Sequence, residues 1–213
     1  MKILNLEFTR IAHDTFKIKG SKVIYTDPFK VKKRDEADVV LLSHEHFDHL
    51  SVEDLSKVTF PGTTIVASVS CRDGLRTVRV KETHFLDPGD KVSVGQVHLE
   101  AVPAYNLNKF REPGKPFHPK GHNGLGFVIT LDGTRVYFAG DTDLIPEMQD
   151  IRCDVALLPV SGTYVMTVEE AVQAVAAIHP RIVVPMHYAA IVGTDADAQR
   201  FKSLVTDSQV QVI

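Results

Sequence analysis

The sequence has no tryptophan and only two cysteines, Cys71 and Cys153, among its 213 residues. Two cysteines so far apart are too few for the disulfide framework of a small secreted protein or for a cysteine-rich zinc site. No apolar run approaches the ~18 residues that a membrane-spanning helix needs, and residues 1–7 lack the apolar stretch of a signal peptide. We therefore expect a cytoplasmic protein with no membrane partner.

An excess of charge of one sign is also missing. The formal net charge is -3, from 24 Lys and Arg residues against 27 Asp and Glu residues. Proteins whose main partner is a nucleic acid usually carry a basic surface, so we expect no nucleic-acid partner. Hydrophobic residues make up 44% of the chain, which is ordinary for a globular protein, and the length suits one domain over residues 1–213.

Histidine is abundant, with ten residues, three of which lie in the segment His44-Glu45-His46-Phe47-Asp48-His49. The apolar run of residues 39–42 just before it predicts a strand buried on both faces. A strand end that leads into a tight loop lets alternate side chains converge on one point. Neutral imidazoles and carboxylates are ligands of zinc and its first-row neighbours, so this segment predicts a metal site.

Two distant segments add to this pattern. Asp141 follows Gly140 and the predicted strand of residues 134–138, and His187 follows the predicted strand of residues 182–184. Each alone could be structural, as the cap of a turn or as a buried histidine. All three segments, however, lie at the carboxyl ends of predicted strands, where α/β folds gather their functional groups. A predicted amphipathic helix near residues 168–178, with a Thr167 and Glu170 capping box, supports the α/β class.

Residues 106–123 form one long irregular stretch with three prolines. It holds four basic residues against one acid, and a basic loop over a metal site suits an anionic substrate such as a phosphate ester or a sugar phosphate lactone. The alternative is a solvated surface loop without a substrate. Tyrosines beside the motif segments could donate hydrogen bonds to substrate or simply pack in the wall. The candidate substrate-binding residues are Lys109, Arg111, Lys120 and Tyr164.

The order His44-x-His46-x-Asp48-His49, then Gly140-Asp141, then His187 resembles the metallo-β-lactamase superfamily. The resemblance extends from Asp27-Pro28-Phe29 to Pro185-Met186-His187-Tyr188. Within the superfamily the chain is most similar to the compact metal-dependent hydrolases that include ascorbate 6-phosphate lactonases. This finer similarity rests on His13, residues 102–106, residues 158–160 and residues 162–164. The resemblance implies an α/β fold, a four-layer αβ/βα sandwich of two mixed β-sheets with helices on the outer faces.

The resemblance also implies two zinc ions, with manganese, iron or nickel as alternatives. One ion would be held by His44 and His46, the other by Asp48, His49 and His187, and Asp141 would bridge them. The superfamily usually adds a third histidine to the first ion, and Asn106 stands at the position where we expect it. Asn106, a water molecule, His118, His122 or His13 are the candidate replacements, and an enzyme with one ion remains an alternative. Asp27 is a candidate carboxylate that orients a ligand.

The implied activity is hydrolysis. A hydroxide held by the metals would attack an ester, lactone or phosphoester bond of a small anionic substrate, with Asp48 orienting it. His13 and Tyr105 are the further catalytic candidates, and His13 is a candidate for proton transfer. One alternative is a metallo-nuclease acting on RNA or DNA, and the other is a non-catalytic metal-binding protein. The sequence leaves the oligomeric state open, including a homo-oligomer.

Overall fold

The computed structural model describes residues 1–213. Seven strands form the first sheet, and their order across it follows the chain. The first four strands pair antiparallel and the last three pair parallel to the strand before them. They are β1 (Lys2–Ile3), β2 (Leu6–Ala12), β3 (Thr15–Lys19), β4 (Val23–Thr26), β5 (Val39–Leu42), β6 (Thr64–Ser68) and β7 (Glu82–Leu86).

The other strands form a second seven-stranded sheet and a small separate hairpin. In chain order they are β8 (Lys91–Val94), β9 (Val97–Pro103), β10 (Phe110–Glu112), β11 (Lys115–Pro116), β12 (Leu125–Leu131), β13 (Thr134–Phe138), β14 (Val155–Pro159), β15 (Ile182–Met186) and β16 (Gln209–Val210). The second sheet has the order β16-β15-β14-β13-β12-β9-β8, and β10 pairs only with β11. Strands β13 to β16 run parallel to one another.

Three α-helices complete the structure: α1 (Val52–Val58), α2 (Val168–Ile178) and α3 (Asp195–Leu204). The α2 capping box predicted from the sequence is present, because the Thr167 hydroxyl accepts from the Glu170 amide while the Glu170 side chain accepts from the Thr167 amide. Such a cap satisfies backbone donors that the first helical turn leaves free. None of the three helices is both long and apolar enough to span a membrane.

Strand β5 shows how the layers form, because successive side chains of a strand point to opposite faces. Val39 and Leu41 belong to the main core of 45 buried residues, which draws on both sheets and on α2. Val40 and Leu42 belong to a cluster of 12 buried residues on the other face, together with Leu55 of α1. The prediction of a strand buried on both faces is confirmed, and the helix–sheet–sheet–helix sandwich is the predicted fold.

Local sequence signals explain the turns. The predicted hairpin of β12 and β13 turns at Asp132 and Gly133, which have φ angles of +48° and +76°, as a type I′ turn requires. The stretch of residues 106–123 is less irregular than the sequence suggested, because it contains the hairpin of β10 and β11 and a short 3-10 helix over Lys120–His122. These strands were not predicted from the sequence because the stretch contains three prolines, and proline is uncommon within sheets.

We expect Ile129→Ala, in β12, to lower the free energy of unfolding by about 2–5 kcal/mol, because it leaves a cavity in the core between the sheets. Ile129 is fully buried. Its neighbour Thr130 is partly exposed on the opposite face, so Thr130→Ala is the matched control and should cost less than about 1 kcal/mol. Urea unfolding followed by circular dichroism measures both. Equal losses in the two variants would contradict a core between the sheets at this strand.

Candidate metal centre

The candidate residues meet at one edge of the sandwich. Asp27 follows β4, His44 follows β5, Asp141 follows β13 and His187 follows β15. Within each sheet these strands are parallel or share parallel neighbours, so their carboxyl ends lie on the same side. The two sheets face each other across the main core. Side chains that are distant in sequence therefore converge between the sheet edges.

The backbone at this edge adopts unusual conformations. Gly140 has a φ angle of +64°, and a Cβ atom there would lie 2.6 Å from the carbonyl oxygen of Leu125. Only glycine fits, and it turns the chain so that Asp141 enters the site. His13, Asp27 and His187 also have positive φ angles, at +46°, +35° and +58°. Each costs about 1–3 kcal/mol, and strain of this kind tends to concentrate at functional sites.

The first donor cluster consists of His44, His46 and His118. The His46 Nδ1 atom lies 3.0 Å from His44 Nε2 and 3.2 Å from His118 Nε2. Asp141 Oδ2 approaches the same point, at 3.3 Å from His118 Nε2 and 4.0 Å from His44 Nε2. Three ring nitrogens and a carboxylate thus face one small volume, as the ligands of a first-row metal ion do.

His118 is the histidine that the motif alone did not supply, and Asn106 holds it in place. Asn106 Oδ1 accepts from the His118 backbone amide at 2.9 Å and lies 2.9 Å from His118 Nδ1. The Asn106 amide donates to Asp143 at 3.1 Å and to the Tyr164 carbonyl at 2.8 Å. Asn106 therefore orients His118 and does not face the cluster. His122, the other loop candidate, is exposed and lies outside it.

The second donor cluster lies on the other side of Asp141. It contains His49, His187 and Asp14, whose donor atoms lie within 4.8 Å of one another and of Asp141. Asp141 Oδ1 lies 3.4 Å from His49 Nε2, and Asp141 Oδ2 lies 3.3 Å from His187 Nε2. Since Asp141 also touches the first cluster, this single carboxylate joins the two groups of donors.

Two further candidates border the second cluster. The Nε2 atom of His13 lies 3.3 Å from Asp48 Oδ2, and the same oxygen lies 3.7 Å from His49 Nε2. The donor atoms of His13, His49 and His187 also lie within 4.8 Å of one another. The ring centroid of His13 is 3.9 Å from that of His187. His13 therefore lies beside the second cluster and does not replace the missing histidine of the first.

Most of these histidines use one ring nitrogen for orientation. His49 Nδ1 lies 2.7 Å from Asp27 Oδ2, and Asp27 also accepts from the amide and hydroxyl of Ser43. His187 Nδ1 pairs with the Ser161 hydroxyl at 2.9 Å, and His44 Nδ1 lies 2.9 Å from the Ser43 hydroxyl. Such outer partners fix the ring and leave Nε2 facing the cluster, as in metal-ligating histidines generally.

Several buried side-chain atoms at the site lack a hydrogen-bond partner. They are both ring nitrogens of His13, both carboxylate oxygens of Asp14, Nε2 of His49 and of His187, and Oδ1 of Asp141. Buried polar groups are nearly always paired, and an unpaired one costs about 1–3 kcal/mol. A divalent cation would satisfy carboxylate oxygens and imidazole nitrogens together, so the residues fit the metal ions that the sequence implies.

The protonation states of the first cluster also suit metal binding, which needs neutral imidazoles. Burial lowers the pKa of His118 to about 4 and lowers the pKa of His44 well below its ordinary value. Burial would raise the pKa of Asp141, but His187 and His49 beside it hold that pKa well below its usual range. The first cluster thus presents ring nitrogens with free lone pairs to an ionised carboxylate at neutral pH.

The remaining candidate residues differ in whether they line the cleft over the metal centre. A cleft of about 600 Å³ opens on the metal centre, and Arg111 and Tyr164 line it. Lys109 instead pairs with Glu170 at 2.7 Å. Lys120 pairs with Glu147 at 2.8 Å, and the Tyr105 hydroxyl donates to the same carboxylate at 3.0 Å. None of these three side chains is among those that line the cleft, and their contact with substrate stays a prediction. Their partners were invisible in the sequence.

Sequence reasoning missed Asp14 and Ser161. Asp14 is fully buried without a hydrogen-bond partner, and burial raises its pKa to about 8. Its place directly after His13 was the one available signal, because a carboxylate beside a site histidine at a strand end is a candidate in its own right. Ser161 carries no such signal, since its contact with His187 depends on how β14 and β15 pair.

A larger cleft elsewhere in the structure contains no comparable cluster of metal donors. A cleft of about 790 Å³ lies at the opposite ends of the strands, next to Arg135 at the start of β13 and Asp154 before β14. It holds neither of the donor clusters. The position of the donors, and not the size of the cleft, therefore identifies the functional site.

Comparison with known proteins agrees with this geometry. A family model described as "Beta-lactamase superfamily domain" matches residues 7–187. A "UPF0173 metal-dependent hydrolase" from Methanoculleus marisnigri is 36% identical over 207 residues, which cover 94% of this chain and 88% of that protein. A crystal structure from Parabacteroides distasonis is 33% identical with a TM-score of 0.81, covering 97% of this chain and 92% of the other.

A metallo hydrolase from Ignicoccus hospitalis is 25% identical with a TM-score of 0.79, covering 98% of this chain and 94% of the other. The family model spans both donor clusters, from His13 to His187. The relatives match over most of their length, so the matched region spans both the site and the scaffold. The chain belongs to the UPF0173 family of metal-dependent hydrolases within the metallo-β-lactamase superfamily.

Proposed function

We propose that the protein hydrolyses an ester, lactone or phosphoester bond of a small anionic substrate with the help of two metal ions, zinc being the first candidate. The observation that carries this proposal is the position of Asp141, whose carboxylate touches a donor cluster on either side. When bound, a pair of divalent ions supplies Lewis acidity toward a carbonyl or phosphoryl oxygen and lowers the pKa of water toward neutrality.

The donors divide into two sets. His44, His46 and His118 would hold the first ion. The second set consists of Asp48, His49 and His187, which would hold the other ion, and Asp141 lies between the two sets. A cleft of about 600 Å³ opens on these donors and leaves room for substrate, as a catalytic metal site requires.

The charges also favour two ions. Asp14, Asp27, Asp48 and Asp141 surround the clusters, and no Lys or Arg forms an ion pair with any of them. When ionised they carry about four negative charges in a largely buried volume, which is costly without counter-ions. Two divalent cations would balance this charge and return Asp14 to its ionised form.

Asp48 is the carboxylate best placed for proton transfer. It lines the cleft, unlike Asp14 and Asp27, and its side chain is 14% exposed. We assign it the role of orienting the attacking water and accepting its proton, and His13 Nε2 lies 3.3 Å from its carboxylate. The water oxygen bonds to the carbonyl carbon or phosphorus, the bond to the alcohol oxygen breaks, and the alcohol leaves with a proton.

Metal content tests the two-ion assignment. We expect about two equivalents of divalent metal per chain, by elemental analysis of protein purified without chelator or histidine tag. His118→Ala should lower the content to about one equivalent because the first cluster loses a donor. His98, on β9, is exposed and belongs to neither cluster, so His98→Ala is the control and should keep two. Equal content in both variants would show that His118 is not a ligand.

Asp14 offers a sharper test of the second cluster. Asp14→Asn keeps the shape of the side chain and removes its charge, so we expect the metal affinity of the second cluster to fall by about 10–100-fold. Titration calorimetry of the metal-free protein with zinc measures this change. Asp132→Asn, an exposed turn residue, should leave both affinities intact. An unchanged pair of affinities in Asp14→Asn would mean that this carboxylate does not act on the metal.

Asp48→Asn tests the chemistry. We expect kcat to fall by at least about 100-fold toward the best substrate of a panel of 4-nitrophenyl acetate, γ-butyrolactone and bis(4-nitrophenyl) phosphate. The first cluster should keep its ion. Glu53→Gln, on an exposed part of α1, is the carboxylate control. Full activity in Asp48→Asn would overturn the assignment, and cleavage of RNA but of no small ester would point to a nuclease.

A further inference from the structure

The cleft over the metal centre has apolar walls. Its floor is formed by His46, His118, Asp48 and Asp141, and Phe47, Phe117, Tyr164 and Ile191 line its sides. These four residues come from four separate segments: the motif loop, the β11 side of the long loop, the loop after β14 and the loop after β15. The cleft volume of about 600 Å³ lies within the range of roughly 300–1,000 Å³ that is typical of small-molecule sites.

The apolar side chains at this cleft are unusually open to solvent. Phe47 is 69% exposed, Ile191 41% and Tyr164 37%. Exposed apolar residues that gather in one concave place commonly mark a binding site, whereas isolated ones do not. The walls are ordered by aromatic contacts, because Phe117 packs edge-to-face on Tyr164 with ring centroids 4.6 Å apart and Phe47 packs on Phe29 at 6.0 Å.

One positive charge reaches the cleft. Arg111 lines it, and its guanidinium lies over the Phe117 ring at 5.4 Å while donating to the Phe117 carbonyl at 3.2 Å. Arg111 forms no ion pair, although every lysine of the same loop does. Those pairs join Lys109 to Glu170, Lys115 to Glu112 and Lys120 to Glu147. Arg111 is therefore the loop cation left to meet an anion.

We propose that the substrate is amphipathic: it carries an apolar group the size of a phenyl ring beside the scissile bond and a single carboxylate or phosphate beyond it. This inference rests on the proposed hydrolytic function and names its substrate class. The apolar group packs between Phe47 and Tyr164, and Arg111 binds the anion with its planar donor pair. The walls disfavour a sugar phosphate, whose hydroxyls would face apolar side chains without hydrogen-bond partners.

Calorimetric binding of product-like probes tests this class without turnover. On the metal-loaded protein we expect phenylacetate to bind at least about tenfold more tightly than acetate, and phenyl phosphate more tightly than methyl phosphate by a similar factor. Comparison of the two pairs distinguishes a carboxylate from a phosphate as the preferred anion. Equal affinities within both pairs would overturn the proposal.

Variants of Arg111 and of the apolar wall residues test the two proposed contacts separately. Arg111→Gln should reduce phenylacetate binding to the level of neutral benzyl alcohol, whereas Lys115→Gln, in the same loop, should not. Ile191→Ser combined with Tyr164→Ser should remove the preference for phenyl probes and leave acetate binding unchanged. Leu204→Ser is the apolar control, since Leu204 is 43% exposed on α3. Unchanged preferences in the Arg111 and wall variants would contradict the assigned contacts.

These outcomes are distinct from a failure of the proposed function. A protein that binds the probes as expected but hydrolyses no ester, lactone or phosphoester would retain the amphipathic site and lose the hydrolytic assignment. A protein that hydrolyses small esters and binds acetate and phenylacetate equally would retain the activity and lose this substrate class.

Discussion

The carboxylate of Asp141 is the point on which the site depends. It is almost fully buried. Its Oδ2 atom lies 3.3 Å from Nε2 of both His118 and His187, which belong to donor clusters on opposite sides, and its Oδ1 atom lies 3.4 Å from His49 Nε2. A carboxylate in such a place is stable only with cations or hydrogen-bond donors around it. The fold supplies histidines on both sides and leaves their Nε2 atoms unpaired at the second cluster. Because both clusters share Asp141, they form one site at the edge of the sandwich and not two separate sites.

Much of the surrounding structure holds these donors in position. Gly140 permits the close approach that brings Asp141 inward, and left-handed backbone at His13, Asp27 and His187 aims the other side chains. The packed core of both sheets offsets this local strain, since the strands before the site are buried. Outer partners such as Asp27 and Asn106 then fix the ring orientations. The site is thus preorganised by the scaffold before any ligand binds.

The cleft above the donors has a different character. Its floor is polar and its walls are apolar, with Arg111 at the side. The basic loop that seemed to offer several cations offers one, because Glu170, Glu112 and Glu147 pair with its lysines. The pairs of Lys109 and Lys120 attach the loop to the rest of the protein, and Phe117 packs against Tyr164. The proposed recognition of substrate therefore combines apolar packing with one charged contact.

The sequence by itself determined the α/β class and most of the donor set, because each motif segment follows an apolar run that forms a buried strand, as β5 shows. The end of each strand determines where the donor that follows it lies, and a short stretch of sequence is enough to indicate both the strand and the donor. The sequence did not determine that His118 completes the first cluster or that Asp14 enters the second. Both depend on contacts between segments far apart in the chain, such as His118 with His46. Tertiary structure alone decided which loop cations are paired, because ion pairs such as Lys109 with Glu170 form only when a loop folds against a distant helix.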